Sequence, residues 1–267
     1  MVFYIILKPF AKGAGKLSDI FEPIKNLFDS LAHEFNFVFI EDNRYTQMIT
    51  GLENTVKITF GALLIGIVIG IVIAAVRSTY DKNKEKMRRS GSPAYYILAF
   101  LNFICKVYLT VIRGTPVVVQ LMISYFLIFV SVKDGVPVGI FAFGINSGAY
   151  VAEIFRGGIM SIDNGQFEAG RSLGLNYIQT MFHIIIPQMF KNVLPTLCNE
   201  FIALLKETSV AGYVGVVDLT KAGNAIAGRT YSYFMPLISV ALIYLVIVMI
   251  LTALVGKLER RLRSSDH

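Results

Sequence analysis

Apolar positions along this chain gather into long runs instead of alternating with polar ones. Val56–Val76, Val117–Val132 and Phe234–Val255 carry almost no charge, and roughly 20 consecutive apolar residues suffice for a helix to cross a bilayer. Two further runs, Val138–Phe155 and Leu194–Val217, are apolar with a few polar interruptions. Residues 1–50 read differently. Phe21, Ile24, Phe28, Leu31 and Phe35 recur at helical spacing with Glu22, Lys25, Asp29 and Glu34 between them, which predicts an amphipathic helix. Such a helix either lies in the membrane interface or packs on neighbouring spans. The domain division is therefore an extracellular or interfacial segment, residues 1–50, and a membrane domain, residues 51–267.

The difficult stretch is Tyr95–Ile112 followed by Val117–Val132, interrupted by Arg113-Gly114-Thr115-Pro116. Charge decides how often it crosses. Arg77–Arg89 holds six Lys/Arg against two acids, and Gly256–His267 holds four against two. Cytoplasmic flanks carry such an excess, and both segments share a side only if the stretch crosses once. Its first part is then a cytoplasm-proximal lead-in helix. This count gives five spans, with the amino terminus outside and the carboxyl terminus cytoplasmic. In the first span Gly61, Gly66, Gly70 and Ala74 form a stripe that permits close helix approach.

Composition agrees with an all-α integral membrane protein. Hydrophobic residues make up 55% of the 267 and charged residues only 16%, well below the quarter or so usual in soluble domains. The net charge of +7 is explained by the flanks, and no groove-reading or aromatic-rich basic element points to nucleic acid. Cys105 and Cys198 sit in apolar segments without metal-ligand spacing, and His33, His183 and His267 form no cluster, so no metal site is expected. Gly13-Ala14-Gly15-Lys16 has the look of a phosphate loop, but Phe10 stands where that loop needs glycine and Leu17 where it needs a hydroxyl. It reads as a linker. No nucleophile–base arrangement appears, so no catalytic residues are assigned.

The polar segment before Leu194 reads FEAGRSLGLNYIQTMFHIIIPQ from Phe167 to Gln188. Phe167, Arg171 and Leu173 suit a short helix that Gly174 stops, and Tyr177, Met181 and Ile184 restart one. This segment resembles the EAA loop of binding-protein-dependent ABC importer permeases: Glu-Ala-Ala, three residues, Gly, nine residues, then Ile-x-Leu-Pro. The chain has Glu168-Ala169-Gly170, Gly174 and Ile184-Ile185-Ile186-Pro187, departing at Gly170 and Ile186. Arg113–Gln120 (RGTPVVVQ), Ala149–Ile159 (AYVAEIFRGGI) and Asn199–Ser209 (NEFIALLKETS) resemble signatures of the polar amino acid permeases. The resemblance runs in register from Gly51, over about four-fifths of the chain.

The resemblance implies a type I ABC importer-like fold in a bacterial plasma membrane and a division of labour. An extracellular or periplasmic binding protein would deliver the amino acid, two permease chains (a homodimer or heterodimer) would form the path, and two ATPase subunits would bind ATP and Mg. This chain would hold no cofactor. Glu168, Ala169, Gly170, Gly174 and Pro187 would couple the ATPase to the spans.

Charges inside spans are costly and point to function or to pairing. Arg113, Arg156, Lys206 and Glu207, with Glu153, suit pairs that hold the bundle. The alternative is a polar path for a zwitterion, with Glu153 and Glu200 facing its ammonium and Thr115, Gln120, Asn199 and Ser209 supplying hydrogen bonds. Competing functions are an ion-gradient-driven secondary transporter, which predicts an internal repeat not visible here, an exporter or sensor that borrows an ABC ATPase, and an ABC permease for another small solute.

Overall fold

The computed structural model of the protein describes residues 17–263; the Gly13–Lys16 linker and the last four residues lie outside them. The described residues form helices joined by short turns, with no strand among them. The helices are α1 (Leu17–Phe35), α2 (Tyr45–Arg89), α3 (Pro93–Gly114), α4 (Val117–Ile123), α5 (Gly135–Met160), α6 (Asn164–Ser172), α7 (Tyr177–Thr180), α8 (Ile186–Glu207), α9 (Leu219–Thr230) and α10 (Phe234–Arg263).

Helix α2 is longer than its apolar run predicts. The basic flank Arg77–Arg89 forms its last turns, because the segment is rich in good helix formers and meets no glycine until Gly91. At 45 residues α2 measures about 67 Å, roughly twice a bilayer's hydrocarbon thickness, so it projects beyond the membrane. Helix α10 likewise runs through the basic tail to Arg263.

Parallel docking of α2 on α5 builds the core. A Cβ at Gly61 would sit 2.9 Å from Ile140, at Gly66 3.1 Å from Ser147, and at Gly70 2.5 Å from Val151. In return, Ile65 and Ile69 fill the space over Gly144 and Gly148. Knobs and glycine hollows alternate between the two helices, so they approach closely and gain dispersion contacts that lipid does not offer. The predicted glycine stripe is this interface. Helix α8 packs antiparallel to α5, with Val193 against Gly158 and Glu200 beside Ser147. It begins at Ile186, eight residues before the expected start of the fourth span, and ends at Glu207; Thr208–Val214 is a tight 3-10 turn closed by Gly215 at φ 79°. Pro187 suits a first helical turn, where no N–H is needed, and starts the helix ahead of the apolar run.

Four helices, α2, α3, α5 and the span of α10, are each long and apolar enough to cross a membrane. The α3–α4 pair nevertheless forms one passage. Tyr95 stacks on Tyr80 at one end, Gln120 bonds Asn146 midway, and Tyr125 lies near Gly135 at the other end. A wider turn, Ser124–Ile128, extends α4. Counting α8, which runs antiparallel along α5, five passages result among the described residues, with the basic ends of α2 and α10 at the same end of the bundle. Glu34 accepts from Ser232 at 2.5 Å, tying α1 to the segment before α10. Ile24, Phe28 and Phe35 of α1 stay exposed, so the chain's own spans do not cover its apolar face.

Candidate functional site

Pro116 ends α3 by lacking an N–H and forcing Thr115 into an extended conformation (φ −120°, ψ 146°). That leaves carbonyls open inside the membrane, where each costs several kcal/mol unless bonded. Gln120 closes them. Its Nε2 donates to the Ile112 carbonyl at 2.8 Å, the Thr115 carbonyl at 3.1 Å and Thr115 Oγ1 at 2.8 Å, while its Oε1 accepts from buried Asn146 at 3.1 Å. Two of the residues assigned to a substrate path, Thr115 and Gln120, are thus brought together and engaged with each other.

Glu153 is also engaged. Arg77 of α2 donates to its Oε1, and Arg156 donates to its Oε2 at 3.0 and 3.1 Å. Arg156 further pairs with Asp81 at 3.5 Å. The expected Glu153–Arg156 pair exists, inside a larger lattice that crosses from α5 to α2. Both oxygens of Glu153, the residue expected to face the substrate's ammonium, accept from guanidiniums. Lys206 and Glu207, expected to pair, are exposed and form no ion pair among the described residues. Adjacent helical residues point about 100° apart, so sequence neighbours rarely pair. Arg113 has no acid either; its guanidinium lies over the Tyr150 ring, 5.4 Å from the centroid.

Glu200 remains available as a membrane carboxylate. One oxygen, Oε1, accepts from buried Ser147 at 2.9 Å, and the side chain is half-buried between α5 and α8. Asn199 turns to the exposed face one residue earlier, and Ser209 sits in the 3-10 turn beyond the helix end. The six expected path residues therefore separate into a joint (Thr115, Gln120), a charge lattice (Glu153), and Glu200 with two outliers. Residues missed were Arg77, Asp81, Lys106, Asn146 and Ser147. Lys106 carried a signal, being a cation in an apolar run on the same helical face as Arg113.

At the basic end of the bundle α6 forms the short helix expected from the loop. Asp163 caps it through Gly165 N–H at 2.6 Å. Gly174, at φ 78°, ends it with the bonds Gly174 N–H to Arg171 O at 2.9 Å and Leu175 N–H to Gly170 O at 3.0 Å, a closure that glycine permits without strain. Asn176 and Gln179 then cap the next helix reciprocally, and a wide turn, Met181–Ile185, leads to Pro187. Phe167 anchors α6 in the core with Ile185 and Met189, and Lys82 lies 4.4 Å over its ring and bonds Asn164 at 2.5 Å. Gly170 faces Thr180, whose Cγ2 would lie 2.6 Å from an added Cβ. This accounts for glycine where the family pattern has alanine. Glu168, Ala169, Leu173 and, beyond the turn, Ile178 and Phe182 remain exposed.

A membrane crossing broken at a bonded polar joint, beside a glutamate held between helices by two guanidiniums, is the build of a membrane transport subunit. Residues 90–264 match the family described as the binding-protein-dependent transport system inner membrane component, and the chain belongs to that family. It is 38% identical over 224 residues to the arginine transport system permease protein ArtQ of Bacillus subtilis (strain 168), covering 82% of this chain and 94% of that one. It is 35% identical over 218 residues to the putative glutamine transport system permease protein GlnP of Rickettsia typhi, covering 80% and 92%. The solved structure of an amino acid ABC transporter with histidines superposes with TM-score 0.71 at 39% identity, covering 84% of this chain and 98% of that one. The chain is accordingly a multi-pass inner-membrane transport component, not an enzyme, with the fold of type I importer permeases.

Proposed function

We propose that this chain is the permease subunit of an ATP-driven importer of polar amino acids and that α6 is where it meets its ATPase. The observation that carries this is α6 itself: Phe167 and Gly170 lock it to the bundle while Glu168 and Ala169 face outward, and Lys82 in the basic end of α2 reaches Asn164 and the Phe167 ring. An excess of Lys/Arg marks the cytoplasmic side, so α6 faces the compartment that holds ATP, and five passages leave residue 45 on the opposite side. Arginine and glutamine in the names of its relatives support the substrate class. A second permease chain, two ATPase subunits that bind ATP and Mg, and an external binding protein complete the assembly. ATP closure and substrate binding then bias one two-state equilibrium of the bundle.

The test is reconstitution in proteoliposomes with the cognate ATPase and binding protein. Wild type should take up labelled L-arginine, L-glutamine or L-cystine only with ATP. Glu168→Lys should insert and fold yet lose that uptake. Normal uptake and ATPase co-purification by the variant would refute the docking role of α6.

A further inference from the structure

Between α2, α3 and α5 lies a cavity of about 470 Å³, open to the chain's surface, whose lining includes Arg77, Glu153 and the exposed Lys106, Thr110 and Arg113. Its charge does not balance. Glu153 is the one carboxylate, and Arg77 and Arg156 occupy both its oxygens. Lys106 and Arg113 pair with no carboxylate among the described residues. The Nε of Arg77 is buried and has no acceptor. Uncompensated cations at membrane depth are costly and face water-filled paths rather than lipid, and orphaned buried donors are rare in folded proteins. Lys106, Thr110 and Arg113 follow each other at i, i+4 and i+7, so one face of α3 presents two cations and a hydroxyl. The volume suits a small solute.

We propose that this cavity receives the α-carboxylate of the amino acid in transit, an inference that rests on the amino acid reading above. The α-carboxylate is common to every amino acid, so a site for it works without selecting a side chain. The Arg113 guanidinium matches a carboxylate bidentately, Lys106 adds a point charge and Thr110 a hydroxyl donor. Glu153 plays a positioning role, holding Arg77 at the rim. The polar joint at Thr115 and Gln120 follows directly on Arg113, so a shift of α4 against α3 acts on this cavity.

The experiment uses the purified complex of permease and ATPase. Equilibrium binding is measured for L-arginine and L-glutamine and for their α-carboxamides, L-argininamide and L-glutaminamide. Wild type should bind an acid saturably and its amide about tenfold more weakly, the loss of one charge-assisted interaction. Arg113→Gln should weaken acid binding by a similar factor and erase the acid–amide difference, and Arg113→Lys should restore part of it. Lys106→Gln repeats the test should Arg113→Gln fail to assemble. The proposal is overturned by unchanged affinity in both variants, by equal binding of acid and amide to wild type, or by no saturable binding. A loss of co-purified phosphatidylglycerol in the variants with amino acid affinity intact also overturns it, assigning the cavity to a lipid phosphate. The underlying function fails separately, as absence of ATP-dependent uptake of any amino acid by the wild-type assembly.

Discussion

Gln120 reaches back over the break in its own passage to the carbonyl of Ile112, 2.8 Å away and eight residues earlier. The same amide group serves Thr115 and takes a bond from Asn146. One side chain therefore makes a proline break tolerable in a membrane and ties it to α5. The Arg-Gly-Thr-Pro…Gln pattern is, in physical terms, a joint and its clasp.

Gln120→Leu should leave the Ile112 and Thr115 carbonyls and the Asn146 amide without partners. A loss of about 1–3 kcal/mol is expected, read as a lower midpoint in thermal unfolding of the detergent-solubilised protein. A midpoint equal to wild type would mean that water or lipid headgroups satisfy the joint.

The two membrane glutamates should behave differently. Glu153→Gln leaves Arg77 and Arg156 facing each other across an amide, and because the pair is partly exposed the cost should be about 1–3 kcal/mol, below that of a fully buried pair. The yield of folded protein should fall. Glu200→Gln keeps an acceptor for Ser147 and should fold normally while reducing uptake per assembled transporter. Uptake assays normalised to complex amount separate the two, and normal uptake with Glu200→Gln would exclude Glu200 from the path.

Gly170→Ala should destabilise the α6–α7 corner despite alanine's better helix propensity. Its methyl would meet Thr180 Cγ2 at 2.6 Å, and overpacking of this kind costs about 1–3 kcal/mol. Thr180→Ser in the same chain removes that methyl and should recover much of the loss. Protease resistance of the loop in the isolated permease reports both.

Asp218 caps α9 from between the spans, accepting from Thr220 N–H at 2.9 Å and Lys221 N–H at 3.4 Å. Burial pushes its carboxyl above the usual value, and those backbone bonds only partly offset this. A raised native pKa means that the folded state holds the proton longer, so this group's contribution is full below the unfolded pKa and is lost as pH rises through the native one. Asp218→Asn keeps the cap without the charge. The variant should gain stability relative to wild type as pH is raised from about 3.5, near the unfolded carboxylate value, to 7. A constant difference across that range would show that Asp218 does not titrate differently on folding.

Much of the architecture was legible because it is local. A run of apolar residues must cover its backbone polar groups within its own helix, which makes the spans visible one at a time. Gly174 followed by Asn176 and Gln179 writes a stop and a restart into adjacent residues. The helical course of Arg77–Arg89 lies outside the apolar run and is invisible to hydropathy, although Lys, Arg and Glu are good helix formers.

The sequence by itself determined that this is a helical membrane protein with basic flanks, a broken second passage and a short helix closed by Gly174, since periodicity, charge and turn chemistry act between near neighbours. Only the tertiary structure decided which charges meet. Arg77 and Glu153 are 76 residues apart and join because Gly66 and Gly70 set the depth and register at which α2 lies along α5. That docking neutralises Glu153, leaves Lys106 and Arg113 without an acid among the described residues beside a cavity, and keeps Glu200 apart with Ser147. A charge's partner depends on how helices pack, and packing is a property of surfaces assembled from distant segments, which no local pattern contains.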